Sequence, residues 1–158
     1  MANVLGTVSV NAAFLQEIKE DNAELRRDFS DTAELFSRLG ESVVEPQQIS
    51  DSATRLRDQI AMHFALEEFF GYVDVATETA PRLYDRAENL RAEHEVLYLQ
   101  ICDLVERIER WVYREPQADG AAVLADGFIE FHTRFAQHEN AENELILDAM
   151  DSDIGVGD

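Results

Sequence analysis

Leu124 to Leu145 reads LADGFIEFHTRFAQHENAENEL, and stepping through it by alternating fours and threes lands on Leu124, Phe128, Phe131, Phe135, His138, Glu142 and Leu145. The same steps reach back to Ala121 and on to Ala149. A stripe recurring at that spacing is the inward face of a helix packed in a bundle. It is apolar except at two adjacent positions, His138 and Glu142.

The rest of the chain divides in the same way. Its 3 Pro and five of its 7 Gly fall near Gly40 to Pro46, around Gly71 to Pro81, between Pro116 and Gly120, and in the tail. These breaks leave four long segments rich in Ala, Leu, Glu and Arg: Asn11 to Leu39, Gln47 to Asp74, Arg82 to Tyr113 and Gly120 to Met150. Sustained β-branched alternation is missing, so the chain is read as all-α. Short connections favour antiparallel neighbours, hence an up-down-up-down four-helix bundle. Asp119 is the expected N-cap of the last helix. Residues 1–150 are read as one bundle domain and residues 151–158 as an acidic, loosely held tail.

The inward register of the first segment is Leu15, Ile18, Asn22, Leu25, Phe29, Thr32, Phe36 and Leu39. The second gives Ile49, Ala53, Leu56, Ile60, His63, Glu67, Phe70 and Asp74. The third gives Leu83, Ala87, Leu90, His94, Leu97, Ile101, Leu104, Ile108 and Trp111, apolar but for His94. Five titratable groups thus point into an apolar core: His63, Glu67, His94, His138 and Glu142. Each costs several kcal/mol to bury unless it is paired or coordinated. Counting residues at about 1.5 Å each sets Asn22, Glu67, His94 and Glu142 within roughly 10 to 20 Å of one bundle end, in one shared layer. Each HxxxE pair puts a nitrogen and an oxygen donor one turn apart on one helix face. A metal ion satisfies such a layer, and mixed imidazole and carboxylate donors suit iron, zinc or manganese. A self-satisfied polar network that fixes helix register is the alternative. His132 falls off the register and is expected at the surface or between helices.

Composition narrows the function. With 13 Lys and Arg against 33 Asp and Glu, the net charge of −20 repels nucleic acid and anionic lipid surfaces. The apolar runs are too short for a transmembrane helix, and the N-terminal residues lack the basic flank and apolar stretch of a secretory signal. Cys102 is the only cysteine, so an intramolecular disulfide is excluded and a cytoplasmic location is expected. No Glu-x-x-His pair exists, because Ile60, Arg91, Ile129 and Phe135 stand three residues before the four histidines. That disfavours a ferritin-like di-iron site.

The segments HFALEEFFGY, RAEHEVLYLQI and QHENAENELIL resemble the second, third and fourth helices of the hemerythrin-like (HHE) cation-binding family. The resemblance runs over nearly the whole chain. It implies that His63, Glu67, His94, His138 and Glu142 are metal ligands, in a non-haem centre of two irons bridged by Glu67 and Glu142. Two positions depart from the family pattern. Asn22 stands where the first helix usually carries a His, which would leave one metal with an open position. Leu90 stands one turn before His94, where the oxygen-carrying hemerythrins have a further His. The resemblance therefore implies a protein that binds or senses a small ligand such as dioxygen, nitric oxide or peroxide, or handles iron. A non-catalytic helical regulatory module with a structural or vestigial metal site remains the other reading. Tyr98 and Cys102, one and two turns beyond His94, are read as packing residues.

Overall fold

The computed structural model describes residues 20, 22–41, 43–69 and 80–156, with side chains described through Asp151. Four helices account for nearly all of them. These are α1 (residues 22–37), α2 (Pro46–Phe69), α3 (Tyr84–Val112) and α4 (Ala121–Val156), with a short 3-10 turn, Pro81–Leu83, leading into α3. No strand occurs among the described residues. Leu15, Ile18, Phe70 and Asp74 of the expected register lie outside them.

The turns explain where the helices stop. Gly40 at φ +121° makes the corner after α1, and Pro46 opens α2, where its missing N–H costs nothing. The Gln48 side chain reaches back to accept from the Glu45 backbone N–H at 2.7 Å, one half of a capping box. At the end of α3, Arg114 adopts φ 53°, while Glu115 N–H donates to Arg110 O and Arg114 N–H to Trp111 O. That pairing is a Schellman closure, built on an arginine where glycine would be less strained, with Pro116 just beyond to block continuation. Asp119 does not cap α4 as expected. Its carboxylate accepts from Arg107 Nε at 2.6 Å, and Gly120 holds the cap position, its carbonyl accepting from Leu124 N–H. An arginine on the neighbouring helix competes successfully for the aspartate. The last helix continues past Met150 to Val156, beyond the end read from the sequence.

Cross-helix contacts fix the directions. Thr32 bonds Ser52 at 2.7 Å and Glu24 meets Gln59, so α1 and α2 run in opposite senses. Glu67 meets His94 at the far end of α2 and the early part of α3. Arg86 pairs with Asp148, His94 with Glu142, and Arg107 with Asp119, which makes α3 and α4 antiparallel. Phe29 packs on Phe131 and Phe135, and Phe36 on Phe128, closing α1 against α4. The bundle is therefore up-down-up-down.

Its core has two parts. The larger includes Leu25, Phe29, Ile49, Leu56, Ile60, Ile101, Ile108, Leu124 and Phe128, and the smaller gathers Ala80, Leu83, Ala87, Leu90, Leu145 and Ala149. Full burial of each large aliphatic side chain stabilises the fold by about 1.5 to 3 kcal/mol. Between the two parts lies a layer that is not apolar.

Candidate metal centre

His63, Glu67, His94, His138 and Glu142 are each no more than 5% exposed, and all five meet in this layer. The heptad-like spacing brings them there: Ile60 and Phe64 bracket His63 on α2, Leu90 and Leu97 bracket His94 on α3, and Phe135 and Leu145 bracket the pair on α4. Ile60, Leu90, Leu97, Phe135 and Leu145 stand one turn from these polar groups, and with Phe64 beside His63 they hold them in the core register.

The side chains form two overlapping groups. Glu67, His94, His138 and Glu142 each offer a donor atom within 4.8 Å of the others, and so do His63, Glu67, Glu139 and Glu142. Glu67 and Glu142 belong to both. Glu67 faces both ways, with Oε1 2.8 Å from His63 Nε2 and Oε2 3.2 Å from His94 Nε2. Glu142 Oε1 lies 2.9 Å from His94 Nε2 and 2.7 Å from His138 Nε2, while His63 Nε2 lies 2.8 Å from Glu139 Oε1.

All three imidazoles turn Nε2 inward. The outer nitrogens of two of them meet carboxylates at the bundle surface: His138 Nδ1 is 2.7 Å from Glu93 Oε2, and His94 Nδ1 is 3.3 Å from Glu68 Oε1. A carboxylate on Nδ1 fixes the tautomer that leaves Nε2 free to donate a lone pair, the usual support of a metal-bound histidine. Phe64 stacks on His94 at 4.2 Å between ring centroids and meets His138 edge-on, while Phe135 packs beside His63. These rings keep water from the bundle-core side of the layer. On the α3–α4 side a recess of about 250 Å³, bordered by Glu93, Gln100, Arg134 and Gln137, reaches the outer face of His138.

The electrostatics are those of a strongly coupled cluster. Burial alone would lower the pKa of His94, but the Glu142 and Glu67 carboxylates overcome it and raise it to about 10. Burial opposes protonation of His138 as well, and Glu142 and Glu93 raise its pKa. Glu142, which burial would push up, is held down at about 2 by His138 and His94. Glu139 moves the other way: burial raises its pKa and His63 offsets this only in part.

Hydrogen bonds within the cluster do not satisfy it. Four buried side-chain polar atoms among the described residues lack a partner, and three of them are Glu67 Oε2, His138 Nε2 and Glu142 Oε2. His138 Nε2 sits 2.7 Å from a Glu142 oxygen but out of hydrogen-bonding alignment with it. His94 bonds Glu142 and His63 bonds Glu139, yet the atoms left over, buried within the same few ångströms, share room for one common partner. Ligands about 2.1 Å from one ion and at right angles to each other lie about 3 Å apart, which matches the 2.7 to 3.2 Å contacts here. The residues present therefore fit a bound cation.

Every member of the expected set is in the layer. Glu139 is the addition, a residue that falls off the inward register yet reaches His63 from the next position after His138. Asn22 is half-buried on the inward face of α1, and among the described residues no hydrogen bond joins it to the cluster. His132 lies outside both groups: it is exposed, with its ring stacked on Phe29 at 4.4 Å. Tyr98 is exposed, outside both donor groups, and its neighbour Cys102 raises its pKa. No described helix is long and apolar enough to cross a membrane.

Comparison with known proteins agrees with this geometry. The family model described as the hemerythrin HHE cation-binding domain matches residues 13–150. No curated protein and no solved structure is significantly similar to the chain.

Proposed function

The chain belongs to the hemerythrin HHE cation-binding domain family, and on that premise we propose that it is a cytoplasmic non-haem di-iron protein that binds or senses a small ligand such as dioxygen or nitric oxide. The observation that carries this reading is the pair of overlapping donor groups sharing Glu67 and Glu142, with unpartnered buried atoms on both shared carboxylates.

His94 and His138 would hold one ion and His63 the other, with Glu67 and Glu142 common to both. Imidazole mixed with carboxylate is a donor set that iron accepts, as zinc and manganese also do. Bound iron would supply redox chemistry and open coordination positions for a small ligand. The chain's own residues set the conditions for that chemistry. Glu93 and Glu68 hold the imidazoles of His138 and His94 in the ligating tautomer. Phe64 and Phe135 keep the core side dry and strengthen every charge interaction within it. Leu90 packs in an apolar cluster with Leu145 and Ala149 and offers no donor to the first position, which would leave a coordination position there for a small ligand. The recess bordered by Glu93, Gln100, Arg134 and Gln137 lies against His138, the side from which a small ligand would approach.

A second reading rests on the same layer. The His94–Glu142 hydrogen bond at 2.9 Å shows that it can satisfy part of its own polarity, as a regulatory module with a structural or vestigial site would. Anaerobic loading with ferrous iron, followed by dioxygen or nitric oxide while the optical spectrum is recorded, separates the two. The di-iron reading expects a ligand-dependent absorption change. A protein that holds zinc, and whose iron-exposed form shows no response to either gas, supports the structural module.

A further inference from the structure

The two donor groups are chemically unlike. Around His94 and His138 stand two nitrogens and the shared carboxylates of Glu67 and Glu142; around His63 stand one nitrogen and three carboxylates, the third from Glu139. Glu139 Oε1 lies 2.8 Å from His63 Nε2, which is itself 2.8 Å from Glu67 Oε1. The Glu139 side chain is four-fifths buried, and the described ion pairs give it no arginine or lysine, only His63. Three carboxylates within 4.8 Å of each other repel strongly at that depth. Glu67 also meets His94, and Glu142 meets His94 and His138, but Glu139 meets His63 alone among the described ion pairs. A divalent ion at that point would offset the repulsion between the carboxylates.

Resting on the dinuclear reading above, we propose that Glu139 is a metal ligand, and that it makes the His63 position an oxygen-rich site that prefers a harder ion than the His94–His138 position does. Imidazole nitrogen favours zinc over manganese far more than carboxylate oxygen does, because manganese sits at the weak-binding end of the divalent series and tolerates oxygen ligands best. When both ions are limiting, the arrangement of lowest free energy places zinc between His94 and His138 and manganese between His63 and Glu139. The same asymmetry makes a single metal load in two steps, the two-histidine position filling first for zinc.

The wild-type chain tests this without any substitution. Metal-free protein is given one equivalent each of zinc and manganese, and the positions are read from crystals by anomalous scattering at the two absorption edges. Zinc at His94 and His138 with manganese at His63 and Glu139 supports the proposal; the two metals scattered equally over both positions overturns it. As a second arm, Glu139→Gln keeps the side-chain shape and removes the charge. Manganese titration should show the affinity of the His63 position fall at least tenfold, while zinc at the other position is held as in wild type. Two ions bound to Glu139→Gln with unchanged affinities refutes the role of Glu139 alone. Fewer than two ions bound to the wild type refutes the dinuclear reading and this proposal with it.

Discussion

Replacing Glu142 by glutamine tests how tightly the layer is coupled even before any metal is added. Glu142 meets both His94 and His138, and in the metal-free chain its pKa falls from 4.5 to about 2. At about 1.4 kcal/mol per pH unit, that difference corresponds to about 3 kcal/mol of stability. The sign follows from the directions. A depressed carboxylate pKa contributes above the unfolded value of 4.5 and is lost as pH falls through about 2. The raised His94 pKa contributes fully below 6.5 and is lost as pH rises through about 10. Both shifts describe one interaction and are not added. The cost of Glu142→Gln should therefore be greatest between about pH 4.5 and 6.5 and shrink outside that window. For a chain of this size each kcal/mol moves the Tm by about 2 to 4 °C, so the chelator-treated variant should melt about 6 to 12 °C below the chelator-treated wild type at pH 6. Circular dichroism melts of both proteins at pH 3, 6 and 10 measure this. Equal Tm values at pH 6, or a gap that widens at pH 3, would refute the coupling.

Other outcomes follow from the same layer. His63→Ala, His94→Ala and His138→Ala should each lose most bound metal, whereas His132→Ala, whose ring stacks on Phe29 outside both groups, should keep it; metal analysis of the four variants decides. With its pKa near 10, His94 carries a proton at pH 7 that a ligating Nε2 must shed, so loading should release about one proton or more per chain into weakly buffered solution. An indicator dye that registers none would contradict the ligand role. Asn22→His should raise the affinity for one ion several-fold in an anaerobic iron titration, and an unchanged titration would place residue 22 out of reach of the metals.

The fold was legible because the inward stripe is long and regular in every helix. Leu25, Phe29, Thr32 and Phe36 on α1, like Leu124, Phe128, Phe131 and Phe135 on α4, are buried where alternating threes and fours put them. The same register exposed the buried site residues, since His63, Glu67, His94, His138 and Glu142 are polar only where they interrupt that stripe. Glu139 escaped it for a geometric reason. Adjacent residues on a helix point about 100° apart, so a neighbour of His138 belongs to a flank, and only the closeness of α2 on that flank turns it toward His63. The acidic residue directly after an inward histidine was the available signal, but Glu95 follows inward His94 in the same way and is exposed, so the pattern alone does not single out a ligand. Asp119 misled in the opposite sense: its sequence position fits a cap, and only the neighbouring Arg107 explains why its carboxylate turns away.

The proposed function stands or falls on whether this layer holds two metal ions. Growing the protein with iron available, measuring metal per chain, and locating the ions in a crystal by anomalous scattering at the iron edge tests it most directly. Two ions per chain are expected, one beside His94 and His138 and one beside His63, with Glu67 and Glu142 within reach of both. A chain that carries no metal under those conditions, or one whose ions sit outside this layer, would contradict it.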